Sequence, residues 1–264
     1  MFVASRAVNF YYILASDALF ISLLQKYLIM KAGKLFLIPS SLSEESLYQP
    51  DQQTLDVIHS LKLFLAERSK TARHFIKSTN PPYSQSEIEV AELPKHGKDD
   101  SIRVFLQSIK SGQNGGFLSE AGCPGVADPG SEVVGLAHSM GIRVVPLVGP
   151  SSILLALMAS GMNGQSFTFN GYLPQDKAKL AIELTRLETE SARQKRTQIW
   201  IETPYRNNPM REICLNTLNP ETKFCIAAEI TGVNEKIFSG KIKNWKLTTL
   251  GDLHKVPAIF LMQA

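Results

Sequence analysis

Apolar and polar positions alternate along residues 34–160 in a way that predicts strands and helices in turn. Short apolar runs, typical of buried strands, lie at residues 34–38, 61–66 and 115–119. Between the strands, apolar side chains recur at helical spacing, as at Ile102, Phe105, Leu106 and Ile109. Strands that alternate with helices predict an α/β fold with a mostly parallel sheet.

The pattern changes after residue 160. A charged amphipathic helix is predicted at residues 177–193, and apolar runs predict strands at 167–173, 198–202, 224–230, 236–238 and 258–262. This order is consistent with a mixed sheet. We therefore predict two αβα domains, an N-terminal one over residues 31–150 and a C-terminal one over residues 151–264, preceded by an N-terminal extension at residues 1–30.

Residues 115–130, GGFLSEAGCPGVADPG, interrupt this pattern. Residues 117–119 have the composition of the end of a buried strand. Residues 120–128 then contain two glycines, a proline and a carboxylate at each end, which predicts a loop whose backbone a ligand can approach closely. Asp128 and Pro129 predict the start of a helix, with Asp128 as its N-cap and Pro129 at the first helical position.

The loop lies within a predicted βαβ unit. The helix covers residues 131–140, and the apolar run at 142–148 predicts a parallel strand covered on both faces. Ligands of open α/β sheets bind outside the carboxyl ends of the strands, where this loop would lie. The loop is also longer than the roughly two to six residues that a βα connection requires, so a functional role is favoured over a plain corner.

The loop lacks the glycine fingerprints of dinucleotide-binding and P-loop proteins. It instead resembles the S-D-A-G-T-P…S-D-P-G signature of the tetrapyrrole-methylase-like superfamily of S-adenosylmethionine-dependent methyltransferases. Glu120 replaces the usual Asp and Cys123 the usual Thr, and the second part reads Ala-Asp-Pro-Gly, ending in Asp128, Pro129 and Gly130. The nearest pattern is the branch that methylates a ribose 2′-hydroxyl in small-subunit ribosomal RNA.

The resemblance implies that S-adenosylmethionine binds in a cleft between the two domains, with no need of a metal. A helix that begins near Ser151 would offer free N–H groups to a carboxylate such as the methionine end of the cofactor. The residues expected to bind the cofactor are Ser119, Glu120, Ala121, Gly122, Cys123, Pro124, Val126, Asp128, Ser151, Ser152, Tyr172 and Leu173.

Other positions depart from the family pattern where members meet their substrates. The loop at residues 39–44 keeps only the first proline of P-T-P-I-G-N, and Ala228 and Gly232 stand where R-E-L-T-K has its basic residues. Two alternatives to a ribosomal RNA methyltransferase therefore stay open. One is a methyltransferase for a tetrapyrrole-like or other small molecule, and the other is a non-catalytic RNA-binding relative.

The catalytic residue is not identified by the sequence. A hydroxyl acceptor benefits from a general base, and Glu67, Glu202 and Glu229 follow predicted strands within matched motifs. Ion pairing with a neighbouring arginine is the structural alternative for each. The five histidines form no cluster with the spacing of metal ligands, so no metal is expected.

The net charge of +4 arises in the second half, where residues 151–264 carry 14 basic and 10 acidic side chains. Lys195, Arg196 and Arg206 belong to this basic excess and are the candidate RNA-binding residues, with a solvated helix end as the alternative. We expect ribosomal RNA and a second copy of the chain as partners.

Three scattered cysteines fit a reducing compartment, so a cytoplasmic location is expected. The extension at residues 1–30 is apolar, but Asp17 divides it into runs too short to span a membrane, and no small-x-small cleavage site follows. We therefore expect that it is upstream of the working protein and that it does not serve as an anchor.

Overall fold

A computed structural model describes residues 32–43, 45–93 and 100–264 of the chain. The predicted extension at residues 1–30 and the last residue of the 39–44 loop lie outside the described residues. The chain divides into two compact units. The first comprises the described residues up to Pro39, with Asp51–Glu120 and Pro124–Val148, and the second comprises Ser40–Pro50, Ala121–Cys123 and Gly149–Ala264.

The first unit alternates strands with helices. Its strands are β1 Lys34–Ile38, β2 Leu63–Ala66, β3 Glu89–Glu92, β4 Gly115–Leu118 and β5 Arg143–Pro146. Its helices are α1 Gln52–Ser60, α2 Ser69–Ser78, α3 Ser101–Lys110 and α4 Gly130–Ser139.

The five strands form a parallel sheet in the order β3-β2-β4-β1-β5. Side chains of α3 and α4 pack in a core cluster with Phe117, and those of α1 and α2 pack in a second cluster with Phe64. The chain leaves β1 toward β2 and leaves β4 toward β5, in opposite directions along the sheet. The strand order therefore reverses between β1 and β4, which is where open α/β sheets bind ligands.

The second unit contains a mixed sheet. Its strands are β6 Phe167–Tyr172, β7 Thr197–Ile201, β8 Lys223–Ala228, β9 Lys236–Lys241 and β10 Ala258–Gln263. They are ordered β6-β7-β10-β8-β9, with β6 parallel to β7 and the other three pairings antiparallel. The helices are α5 Ser152–Ser160, α6 Lys177–Gln194 and α7 Asn207–Thr217.

Two core clusters cover the faces of this sheet. Leucines of α6 pack in one of them with Trp200, Phe224 and Phe260, whose rings are stacked. Ile153, Ala156 and Leu157 of α5 pack in the other with apolar residues of β7, β8 and β10. Helices on both faces of a sheet satisfy the apolar side chains of central strands, which project alternately to either side.

The predicted fold class, α/β with a parallel N-terminal sheet and a mixed C-terminal sheet, is confirmed. The prediction that residues 142–148 form a strand covered on both faces is wrong in detail. β5 lies at the edge of its sheet and, among the described strands, pairs with β1 alone, and Arg143 and Pro146 are exposed. Throughout the described segments, no helix has the length and apolarity that a membrane span requires.

Candidate active site

The loop after β4 is shaped by residues with positive φ. Gly122 has φ of 73°, Gly125 of 81° and Ala127 of 60°. Alanine seldom adopts this left-handed conformation, and such strain is characteristic of functional loops. A Cβ added at Gly125 would meet no atom within 4 Å, so the backbone at this residue is open to a ligand.

Asp128 holds the second part of the loop closed. Its Oδ1 atom accepts hydrogen bonds from the backbone N–H groups of Gly125 and Gly130, at 2.6 and 2.8 Å. Its Oδ2 atom is buried and has no hydrogen-bond partner among the described residues. A buried acceptor without a partner marks a position where a ligand donor would be favourable.

The start of α4 differs from the prediction by one residue. Pro129, rather than Asp128, is the N-cap, and Gly130 is the first helical residue. Asp128 nevertheless accepts from the Gly130 N–H and so satisfies one of the free amides of the first turn. The predicted role of the carboxylate is retained, although its cap position was wrong.

The first part of the loop, Ala121–Cys123, belongs to the second unit and is bound to other residues of that unit. Ser40 and Gly122 exchange two backbone hydrogen bonds, at 3.0 and 3.2 Å, and form an isolated antiparallel bridge. The Cys123 thiol donates to the carbonyl oxygen of Pro150 at 3.3 Å. Cys123, which replaces the family's Thr, thus joins the loop to the residue preceding Ser151.

Three carboxylates gather where β2 and β4 end. The Glu120 N–H donates to Oε1 of Glu67 at 3.2 Å, and Arg68 approaches Glu120 at 3.8 Å but is 71% exposed. Burial raises the pKa of Glu67, and the negative charges of Asp128 and Glu120 raise it further. The hydrogen bond from the Glu120 N–H acts in the opposite direction and lowers it. Burial likewise raises the pKa of Asp128, against its two backbone hydrogen bonds. These groups form an electronegative, partly desolvated edge suited to hydroxyl or ammonium donors.

The N-terminus of α5 is available for hydrogen bonding. Ser151 is its N-cap, but the Ser151 side chain makes no capping hydrogen bond, and Ser152 opens the helix. Free amides at a helix N-terminus favour a carboxylate ligand. The Cys123 thiol contacts Pro150, the residue before Ser151, so the Ala121–Cys123 segment and the start of α5 are neighbours within the second unit.

The remaining predicted cofactor residues differ in exposure. Ser119 is buried directly after β4, Pro124 is buried, and Val126 is 48% exposed. Tyr172, at the end of β6, is 64% exposed, whereas Leu173 is 5% exposed and packs in the core. The Leu173 side chain thus has a packing role, and only its backbone could meet a ligand.

Glu202 has a structural role. Its side chain is 2% exposed, its Oε1 accepts from the Thr203 N–H at 2.7 Å, and its Oε2 lies 3.2 Å from Nη1 of Arg206. Arg206 also donates to the carbonyl oxygen of Gln175 at 3.2 Å. The Glu202 carboxylate is held by hydrogen bonds at Oε1 and by the charge of Arg206, although Oε2 makes no hydrogen bond, so it is a poor general base.

Glu229 is held differently. It follows β8 with a positive φ of 49°, and Thr231 has φ of 68°. The Glu229 backbone donates to the Pro257 carbonyl oxygen and accepts from the Gly232 N–H, which fix its position. No described residue donates a hydrogen bond to the half-buried Glu229 carboxylate.

The candidate RNA-binding residues are not equivalent. Lys195 is exposed at the C-terminal cap of α6, with a left-handed φ of 52°. Arg196 turns inward: its Nη1 lies 3.4 Å from Oε1 of Glu190 and 3.2 Å from the hydroxyl of Thr168. Arg196, like Arg206, is occupied by contacts within the protein.

Sequence reasoning missed the residues that position the loop. The Ser40 backbone pairs with Gly122, and a Cβ on Gly122 would come within about 3.0 Å of Leu42. The 39–44 loop matched the family pattern poorly, so only its place after the first strand could have drawn attention to it.

The two sheets and the loop at the strand-order reversal are typical of a two-unit α/β methyltransferase. The family described as Tetrapyrrole (Corrin/Porphyrin) Methylases matches residues 52–245. The chain belongs to this family, and the predicted superfamily and methyltransferase class are confirmed.

Curated relatives carry the name Ribosomal RNA small subunit methyltransferase I. The chain is 31% identical to the protein of Vibrio cholerae over 207 residues, 77% of this chain and 67% of that relative. It is 36% identical to the protein of Mesorhizobium japonicum over 149 residues, 56% of this chain and 49% of that relative. The chain thus spans about half the length of the second relative.

Solved structures show the same fold. The methyltransferase CobJ aligns with a TM-score of 0.56 at 16% identity, over 88% of this chain and 94% of CobJ. Uroporphyrin-III-C-methyltransferase from Thermus thermophilus aligns with a TM-score of 0.51 at 18% identity, over 88% and 92% of the two chains. At these identities the likeness concerns the fold alone.

Proposed function

We propose that the protein is an S-adenosylmethionine-dependent methyltransferase that modifies a ribose 2′-hydroxyl of small-subunit ribosomal RNA. The observation that carries the proposal is that the matched loop motif follows β4, where the strand order reverses, and has an open backbone at Gly125. The names of the curated relatives support the RNA substrate. The same reasoning favours a cytoplasmic location, where ribosomes are found.

Two sets of residues, each described within its own unit, have the chemistry to bind groups of the cofactor. In the first unit, the unpartnered Oδ2 of Asp128 and the carboxylates of Glu67 and Glu120 suit the hydroxyl and ammonium donors of S-adenosylmethionine. In the second unit, the α5 amides near Ser151 suit its carboxylate. When bound, the cofactor supplies a methyl group on a sulfonium.

The protein then has to orient the acceptor hydroxyl and to take up its proton. Glu229 is the better candidate base, because its carboxylate has no partner in the described part of the chain while Glu202 is paired with Arg206. The left-handed backbone at Glu229 is the kind of strain found at functional positions. We assign Glu67, which is bound to the loop itself, to cofactor binding.

The test is methyl transfer from labelled S-adenosylmethionine to small ribosomal subunits that lack the modification. A ribose methyl protects the adjoining phosphodiester from alkali, so the label should appear in an alkali-resistant dinucleotide. Asp128→Ala should abolish transfer, whereas Glu132→Gln, an exposed acid on α4, should not.

Each contrary outcome identifies an alternative. Label on a base would refute the ribose assignment, and cofactor binding without transfer to RNA would favour a small-molecule acceptor. Failure of the wild-type protein to bind S-adenosylmethionine would favour a non-catalytic RNA-binding relative. We also propose that the protein forms a homodimer, which light scattering of the purified protein tests.

A further inference from the structure

The sequence Glu202-Thr203-Pro204-Tyr205-Arg206 places an aromatic ring on the surface of the second unit. Tyr205 is 65% exposed and lies in a single 3₁₀ turn, Pro204–Arg206, directly after β7. No described residue makes a hydrogen bond with its hydroxyl. The ring is therefore accessible to a partner molecule.

Two cationic or polar side chains flank the ring. The His254 ring meets Tyr205 edge-on, with 5.6 Å between centroids, and Nζ of Lys255 lies 5.8 Å from the Tyr205 centroid. His254 and Lys255 are both exposed. Asp252, two residues before His254, accepts hydrogen bonds from Asn208 and from the His254 N–H.

The cluster is held in place from beneath. The Lys255 N–H donates to the Pro204 carbonyl oxygen at 3.0 Å, which joins the segment 249–256 to the 3₁₀ turn, and Lys255 has a left-handed φ of 63°. Side chains of α7 hold the segment 249–256: Asn207 donates to the Val256 carbonyl oxygen, and Arg211 donates to those of Thr249 and Gly251. The buried Glu202–Arg206 pair fixes the 3₁₀ turn.

We propose that Tyr205, His254 and Lys255 form a stacking platform for an unpaired base of an RNA, with Lys255 contacting a neighbouring phosphate. Exposed aromatic rings next to cations bind single-stranded nucleic acid in this way, because every base has a stacking face and every linkage a negative charge. The rigid support favours the platform, since little side-chain or loop freedom is lost on binding. This inference rests on the proposed function, whose RNA substrate it locates on the second unit.

The platform is tested by the affinity of the full chain for a labelled oligocytidine of about 12 nucleotides, within the usual range of single-strand sites. Fluorescence anisotropy gives the Kd. Tyr205→Ala should weaken binding about 5- to 150-fold, the range expected for the loss of one stacked base. Tyr205→Phe keeps the ring and should bind as the wild type does.

Salt dependence tests the phosphate contact. Lys255→Gln should reduce the slope of log affinity against log salt by about 0.7, the value for one phosphate of a single strand. Lys110→Gln removes an equal charge from the exposed end of α3 and should leave the slope unchanged.

Unchanged affinity in Tyr205→Ala would overturn the proposal, as would equal losses in Tyr205→Ala and Tyr205→Phe, which would indicate a hydroxyl contact. Normal oligocytidine affinity of Tyr205→Ala, together with weaker binding of this variant to whole small subunits, would also overturn the proposal. That result would indicate that the ring contacts a ribosomal protein and not RNA. If the wild type fails to methylate ribosomal RNA while Tyr205→Ala loses oligocytidine affinity, the proposed function fails and the platform stands.

Discussion

The Glu202–Arg206 ion pair predicts a measurable loss of stability when its arginine is removed. Arg206→Met keeps an apolar stem but leaves the Glu202 carboxylate, 2% exposed, without its charge partner. Removing one partner of a buried pair costs about 3–5 kcal/mol, and the 29% exposure of the Arg206 side chain reduces this to about 2 kcal/mol. The lost hydrogen bond to Gln175 adds about 1 kcal/mol.

The protein contains its own reporter for this experiment. Its two tryptophans, Trp200 and Trp245, both lie in one core cluster of the second unit, so their fluorescence follows that unit alone. With an m value of about 1.5 kcal/mol/M, a loss of about 3 kcal/mol lowers the urea midpoint by about 2 M. The exposed Arg193→Met is the matched control and should shift it by less than about 0.3 M.

A double-mutant cycle separates the pair from its surroundings. Glu202→Gln combined with Arg206→Met should cost about 2 kcal/mol less than the sum of the single changes, because no buried charge is then left alone. Additive costs would refute the pairing. A wild-type midpoint in Arg206→Met, together with weaker RNA binding, would return Arg206 to the RNA-binding residues.

Three further predictions concern the candidate active site. Asp128→Ala should destabilise the loop by about 2 kcal/mol, which faster hydrogen exchange of the Gly125 and Gly130 amides would report. The same variant should weaken S-adenosylmethionine binding at least about tenfold. Unchanged exchange at these two amides would contradict their hydrogen bonds to Asp128. Burial raises the pKa of Glu67 in the folded state above its ordinary value of 4.5. The contribution of this group to the free energy of unfolding is therefore fully present below pH 4.5 and is lost as the pH rises through the raised pKa. Glu67→Gln should therefore be more stable than the wild type near pH 7 and equal to it near pH 3, and a loss of stability at neutral pH would contradict this. Glu229→Gln should lower kcat at least about 100-fold and leave cofactor affinity unchanged, whereas retained kcat would exclude Glu229 as the base.

The signals in the sequence were sufficient to predict the fold class, but they failed at two places, one in each unit. α7 begins Asn207-Asn208-Pro209, which reads as a turn; proline is tolerated there because the first turn of a helix has no intrahelical partner for its N–H groups. The edge position of β5 depends on pairing far along the chain, which a local apolar run does not encode.

The candidate site shows the same division between local and non-local information. The glycines and the carboxylate of the loop were visible because their roles are set by the local backbone, as Gly125 and Asp128 illustrate. Arg196 and Arg206 counted as surface charge in the sequence, but their partners are acids brought near by folding. Tyr205 was not predicted to be functional, because its exposure and its contact with His254 exist only in the folded chain.

The order of strands in the second sheet has a consequence for biosynthesis. β10, Ala258–Gln263, occupies the centre of the sheet, between β7 and β8, and it supplies hydrogen bonds to both. Until it leaves the ribosome, β6-β7 and β8-β9 are separate pairs with unsatisfied edges, whereas the strands of the first sheet are all available once β5 has emerged. The second sheet can therefore close only after β10 has emerged, later than any of its other four strands.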